Sequence, residues 1–317
     1  MNNLQDNKEY RIVRLSSGNL IDVETLHTAV YNKKPPKNHF VKKYDSSYTG
    51  KSFIGYIAYS NENIPVAYYG VIPCFVKYND DIMLAAQSAD TMTHPQYRFK
   101  GMFVELSNLC FELCRENNIN LIFGFPNQNS YHGAVNKLGW KMTELMDCFE
   151  IPVKSLKLIR ALPRFAITRK LYRIFQQQVF KNYLLINENG LPNSLIQEGF
   201  GGVYRNNEYL NYKTYSKTIV LKTGASKMWI KINNSLTIGD MELNENNFDD
   251  VLNTAKKIAK KLGLHSIYFH ACKNTKLHAL FEARYNSSPS FPMLFQDFGS
   301  SIPPEKIKFT FADIDIF

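Results

Sequence analysis

Between Ala89 and Phe103 the sequence ADTMTHPQYRFKGMF sets a strand, a proline turn and the run Arg98-Phe-Lys-Gly101-Met-Phe103 directly ahead of a helix. A helix that starts in this way leaves its first backbone N–H groups unpaired and aimed outward, and its dipole adds partial positive charge at the same point. That combination is a cradle for a pyrophosphate. Gly101 lets phosphate oxygens approach the backbone closely, while Arg98 and Lys100 add full positive charge. A second polar cluster, Asn127, Asn129 and Ser130, opens another helix downstream; these side chains can cap that helix, contact a ligand, or do both.

The elements that must position these residues follow from periodicity. Residues 53–59, 66–78 and 82–91 are β-branched and aromatic runs separated by Asn, Asp and Pro turn signals, which predicts an antiparallel meander. From Gly101 to Asn117 the period changes to three and four, with Phe103, Leu106, Leu109, Cys110 and Leu113 on one stripe of an amphipathic helix. A strand is expected at Leu121–Phe125 and a helix at Asn129–Leu138, ended by Gly139. The second half repeats the order without repeating the residues: strands at 217–222, 228–232 and 235–243, a helix at Phe248–Leu262, a strand at Ser266–Ala271, a helix from Asn274 to Ala283 and a strand near Phe291–Phe295. At 317 residues the length itself favours two domains, and a composition of 44% hydrophobic and 21% charged residues is that of a globular chain.

The loop resembles the coenzyme A signature of the GNAT superfamily, Arg/Gln-x-x-Gly-x-Gly/Ala after the fourth strand. Arg98 and Gly101 match it, and Phe103 stands where the pattern has Gly or Ala. Thr93-His94-Pro95, Tyr97-Arg98, Lys100-Gly101, Phe123-Gly-Phe-Pro-Asn127 and Lys137-Leu-Gly-Trp140 resemble a GNAT subgroup of polysaccharide biosynthesis. The resemblance implies an α+β fold of tandem GNAT-like domains, with mixed, mostly antiparallel twisted sheets flanked by helices. It divides the chain into an acyl-CoA-binding domain at 1–150, a basic connector at 151–200 and a degenerate GNAT-like domain at 201–317 that shapes the acceptor site. It also implies an acyl-CoA co-substrate, whose pantetheine arm lies between splayed fourth and fifth strands as an added strand would. Thr91, Met92 and Thr93 would supply backbone to that arm, Arg98, Phe99, Lys100, Gly101, Met102 and Phe103 the phosphate cradle, and Asn127, Asn129 and Ser130 further polar contacts.

The cofactor sets the chemistry: a neutral amine attacks the thioester carbonyl, negative charge develops on its oxygen, and a thiolate leaves. A backbone N–H near Met92 is the expected oxyanion donor, a kind of contact worth roughly 2.7–4 kcal/mol. Asp90 on the fourth strand is the best-placed carboxylate to take the amine proton, with His94 second. Many family members use a Tyr as acid, but here its position falls near Val135, which has no proton to give; Tyr131 or His132, one turn earlier, is the expected substitute.

The second half has Glu242-Leu-Asn-Glu-Asn-Asn247 ahead of its long helix, acidic where a phosphate cradle would be basic, so it is not expected to bind coenzyme A. A formal net charge of +10 calls for an anionic partner: nucleic acid, a membrane surface or a phosphorylated substrate. By looser resemblance to enzymes that acylate dTDP-linked amino-deoxysugars, the expected acceptor is a nucleotide-linked 3-amino-3,6-dideoxyhexose, taking an acetyl or 3-hydroxybutanoyl group in bacterial surface polysaccharide (O-antigen, lipopolysaccharide) biosynthesis. Fem-type transferases, which also have tandem GNAT halves and draw on aminoacyl-tRNA, need no such cradle. A protein-lysine or aminoglycoside acceptor would want an acidic cleft, and a non-enzymatic basic module would bind membrane or nucleic acid without coenzyme A. Eight Lys or Arg and no acid lie between 151 and 187 (Lys154, Lys157, Arg160, Arg164, Arg169, Lys170, Arg173 and Lys181), open to reading as a solvated connector or as a contact to a membrane or anionic substrate. The five cysteines lack zinc spacing and are read as small buried hydrophobes, so neither a disulfide framework nor a metal is expected. No apolar run reaches the ~18 residues of a membrane span and the start lacks a signal-peptide pattern, which makes a cytoplasmic protein the expectation.

Overall fold

The computed structural model describes residues 9–155, 166–244 and 247–317, with the backbone alone at 166–169. The chain divides into two compact units: residues 1–76, 82–143 and 293–304, and residues 77–81, 144–292 and 305–317. As expected, the architecture mixes helices with sheets whose strands are mostly antiparallel.

Unit 1 holds β1 (Tyr10–Arg14), α1 (Leu20–Tyr31), α2 (His39–Tyr44), β2 (Ile54–Ser60), most of β3 (Pro65–Tyr78) and of β4 (Asp81–Thr93), α3 (Met102–Glu116), β5 (Leu121–Gly124) and α4 (Gln128–Leu138). β1 and β2 are antiparallel, as are β2 and β3, whereas β4 and β5 are parallel. All four residues of β5 are buried, as befits a strand covered on both faces. Met102, Leu106, Cys110, Leu113 and Cys114 form the buried stripe of α3 and pack on Ile54, Ala58 and Val71 of the sheet. Cys110 and Cys114 are free thiols in this core. Gly139 ends α4 at φ 71°, a left-handed C-cap that glycine adopts without strain.

Unit 2 holds most of β6 (Lys141–Pro152), then α5 (Ala166–Phe180), α6 (Ser194–Gln197), β7 (Gly202–Val203), α7 (Asn207–Tyr212), β8 (Thr218–Thr223), β9 (Ser226–Ile232), β10 (Leu236–Glu242), α8 (Phe248–Lys261), β11 (Ser266–Ala271), α9 (Lys276–Glu282) and the first half of β12 (Ser287–Asp297). β8, β9 and β10 form an antiparallel meander, and β11 joins β10 in parallel. Val251, Leu252, Ala255, Ile258 and Ala259 of α8 cover Ile230, Ile238, Ile267 and Phe269 of this sheet. A buried Arg205 is held between Asp240 at 2.5 Å and Asp313 at 2.8 Å.

Each sheet is completed by the strand that follows the other half's last helix. β6, which follows α4, pairs antiparallel with β11 in unit 2, Asp147 to Pro152 opposite Ala271 to Ser266. Residues Leu294 to Asp297 of β12, which follows α9, pair antiparallel with β5 in unit 1. The periodicity reading placed the meanders, α3, α4, α8 and β11 within a few residues of their observed bounds, but it did not foresee β1, α1, α2 or β6. Residues 151–187, read as a connector, contain the end of β6 and all of α5; Lys157, Arg160 and Arg164 lie outside the described residues, as does the Arg169 side chain.

Candidate active site

Pro95 begins a single 3-10 turn, Pro95–Tyr97, at the end of β4, where its fixed φ is pre-set for a helical first position. His94 anchors that turn: its backbone N–H donates to the Val66 carbonyl at 2.8 Å, and its ring nitrogen accepts from the Gln96 N–H at 3.4 Å. Two left-handed residues then curl the chain into α3, Phe99 at φ 65° and Gly101 at φ 80°. For a bulky residue such as Phe99 that conformation is strained, and its ring stands fully in solvent. A side chain at Gly101 would meet nothing within 4 Å, so the space over this backbone is open.

The first bonds of α3 run from the Val104 and Glu105 N–H groups to the Gly101 carbonyl. The N–H groups of Met102 and Phe103 precede them and have no helical acceptor. Among the described residues Arg98 is exposed and pairs with no carboxylate, while Lys100 is engaged by Glu9 and lies 5.2 Å over the Tyr97 ring. The expected cradle residues are thus together at one helix start, with the exposed Arg98 and two N–H groups that lack a helical acceptor beside the open space at Gly101.

Phe103 takes the place of the family's small residue, and the structure shows what makes room for it. A Cβ on Gly133 of α4 would lie 2.8 Å from the Phe103 ring, which also packs edge-on to Tyr69 at 6.3 Å. A small residue on the neighbouring helix makes room for the ring. This contact sets the start of α3 beside the first turns of α4, where Asn127 caps the helix by accepting from the Asn129 N–H at 2.9 Å and the Ser130 N–H at 3.2 Å. Gly133 carried no signal in the sequence, because its meaning depends on a ring thirty positions away.

Among the described residues β4 and β5 pair at Ala86 with Ile122 and at Gln87 with Phe123. β4 then runs on to Thr93 while β5 stops at Gly124, so that, among the described residues, 88–93 have no partner strand on that edge. Thr91 and Thr93 are half-buried; the Met92 side chain is buried, so that residue can offer a ligand its backbone. Within this stretch Asp90 has φ 52°, a left-handed residue in a strand, which bends β4 locally as a bulge does.

Asp90 itself is tied back into unit 1. Its carboxylate accepts from Lys43 Nζ at 2.5 Å and from the Tyr44 hydroxyl at 2.9 Å, both on α2. Burial alone would raise the Asp90 pKa, but the charge and hydrogen bond of Lys43, with the Tyr44 bond, outweigh it and hold the carboxyl below its ordinary value. A carboxylate so held is a weak base. Burial likewise pushes the Tyr44 hydroxyl far up, with the Asp90 charge adding to the shift. α2 was invisible to the sequence reading, so Lys43 and Tyr44 were missed with it. Tyr131 is half-buried with its hydroxyl 3.7 Å from Met142 Sδ, His132 is exposed, and Val135 packs against the core.

With this geometry in view, residues 11–143 match the family model described as an acetyltransferase (GNAT) domain. The chain carries a GNAT domain. The match supports an acyltransferase of the GNAT type, and GNAT domains use an acyl-CoA thioester as co-substrate. No curated protein matches the chain. Among solved structures, a putative acetyltransferase from Pyrococcus horikoshii superposes with a TM-score of 0.55 at 12% identity, covering 98% of this chain and 96% of its own. A GCN5-related N-acetyltransferase from Kribbella flavida gives 0.57 at 12% identity, over 91% of this chain and 72% of its own. A probable N-acyltransferase from Enterococcus faecalis gives 0.59 at 11% identity, over 92% and 73%. At such identities the likeness is one of fold, and it extends beyond the residues of the GNAT domain. Among the described residues no three His, Cys, Asp or Glu are grouped to hold a metal, and no helix is long and apolar enough to cross a membrane.

Proposed function

We propose that the chain transfers a short acyl group, acetyl or 3-hydroxybutanoyl, from coenzyme A to the amino group of a dTDP-linked 3-amino-3,6-dideoxyhexose in bacterial surface polysaccharide biosynthesis. The observation that carries the donor half of this reading is the open, left-handed turn at Gly101 that leads into α3, with N–H groups that have no helical acceptor and an Arg98 that, among the described residues, pairs with no carboxylate. The pyrophosphate binds there, at Arg98 to Phe103. The pantetheine arm takes the unpaired edge of β4 at Thr91 to Thr93, with Asn127, Asn129 and Ser130 at the start of α4 as further contacts. The Met92 N–H stabilises the developing oxyanion, and Tyr131 or His132 protonates the leaving thiol. Because Lys43 and Tyr44 hold Asp90 as an anion, its stronger role is to fix the bend of β4; proton removal from the amine then falls to Asp90 only weakly, and to water.

Acceptor recognition is assigned to the second half. Its order of three antiparallel strands, helix, parallel strand and helix repeats that of the first, which supports tandem GNAT-like halves of which only one keeps a cradle. The net charge of +10 favours an anionic acceptor such as a nucleotide sugar over a cationic one. Calorimetry with coenzyme A and then with dTDP separates the two parts of the proposal. Both ligands are expected to bind. Loss of the first signal would reject acyl-CoA chemistry, and loss of the second alone would reject the sugar nucleotide while leaving acyl transfer to an amine.

A further inference from the structure

Helix α5 has an inner face that unit 2 explains and an outer face that it does not. Inward, Tyr172 is buried and donates its hydroxyl to the Leu262 carbonyl at 2.7 Å, and Phe180 enters the unit 2 core with Val179 packed against it. Just past the helix, Leu184 forms an isolated bridge with Leu221 of β8. At about 100° per residue these contacts leave an outward arc on which Leu171, Ile174 and Phe175 sit together. They are 64%, 48% and 40% exposed, and Ile186 beyond the helix is 85% exposed. The exposed cations Lys170 and Arg173 lie on the same helix and Lys181 just past its end. No acidic residue occurs from 151 to 187.

A solvated connector would have no use for three large apolar side chains at i, i+3 and i+4 in water. Nucleic acid would engage the cations and leave Leu171, Ile174 and Ile186 unused. An apolar strip on a helix that carries cations and no acid matches a lipid surface with anionic headgroups, which takes the apolar side chains at the acyl boundary and the cations at the phosphates. We propose that α5, with Ile186, docks the enzyme peripherally on an anionic membrane surface.

The full-length chain is to be sedimented with vesicles of phosphatidylcholine alone and of phosphatidylcholine mixed with phosphatidylglycerol, at low and high salt. Binding is expected to the anionic vesicles and to weaken with salt. The variant L171Q/I174Q/F175Q should lower partitioning about tenfold at an unchanged melting temperature, and K170Q/R173Q should lower it and flatten the salt dependence. I186N, outside the helix, should give a smaller loss in the same direction and stands in if the triple variant unfolds. Absence of binding to anionic vesicles, or binding that these variants leave intact, overturns the proposal. So does a dimer in analytical ultracentrifugation that L171Q/I174Q/F175Q abolishes, since the strip would then face a second copy, and so does salt-sensitive retention on DNA without vesicle binding.

Discussion

Unit 1 leads into α3 through Arg98 to Gly101, and unit 2 leads into α8 through Glu242 to Asn247, of which Glu245 and Asn246 lie outside the described residues. The strands and helices around these two loops follow the same order, yet the helix starts are finished with opposite charge. The start of α8 carries Asp249 and Asp250 in its first turn, and Arg284 clamps both Asp249 oxygens at 2.7 Å. Its dipole is neutralised by the chain's own carboxylates. In α3 the acid of the first turn is Glu105, which already accepts from the Tyr10 hydroxyl at 2.6 Å, and the loop ahead of it is cationic. The contrast teaches that this fold does not itself make an anion site. Backbone donors become a cradle only where the sequence leaves them open and curls the loop around them.

The comparison breaks first at Gly101. G101D keeps the space, since a Cβ there meets nothing, but places an anion among the cradle donors at φ 80°. Coenzyme A affinity should fall by at least about a hundredfold in calorimetry, near 2.7 kcal/mol. G139D is the matched control, because Gly139 is also left-handed at φ 71° with open space around it but closes α4 away from the loop. It should share any cost in melting temperature and leave affinity unchanged. Equal loss of binding in both variants would mean that left-handed strain, not the cradle, is being measured.

A smaller effect tests how Phe103 is accommodated. G133V drives a branched side chain into the Phe103 ring, an overpacking worth about 1–3 kcal/mol. F103A in the same chain should restore much of the loss, because it vacates the space that the valine needs. Thermal unfolding of the two single variants and the double variant gives the coupling. Strictly additive losses would show that the two residues do not share a site.

These residues also mark what was legible in the sequence. Arg98, Gly101, Pro95 and the apolar stripe of α3 act through neighbours within a few positions, so their types and spacing announced the loop and the helix. Lys43 and Tyr44 act on Asp90 from 47 and 46 positions away, on a helix of six residues too short to show a period. Nothing local says that a lysine is to be buried. The pairing of β6 with β11 and of β12 with β5 was unreadable for a related reason: strand pattern encodes which face is buried, not which edge will be met. The GNAT core was therefore recognisable before the elements that frame it.

The smallest effect is expected where the comparison is sharpest, at Asp249. Its hydrogen bonds to Arg284 hold the carboxyl below its ordinary value, so the pair contributes stability above the unfolded value that is lost as pH falls through the depressed one. Both side chains are substantially exposed, and solvent screens the pair. D249N should therefore lower the melting temperature only slightly at neutral pH, with the difference closing in acid, and should leave coenzyme A binding untouched. Were D249N to create a second coenzyme A site by calorimetric stoichiometry, the carboxylates alone would be what silences α8. The expected single site instead sets the two helix starts apart by more than charge, since Asn247 at the N-cap position of α8 has φ −88° where Gly101 before α3 has φ 80°.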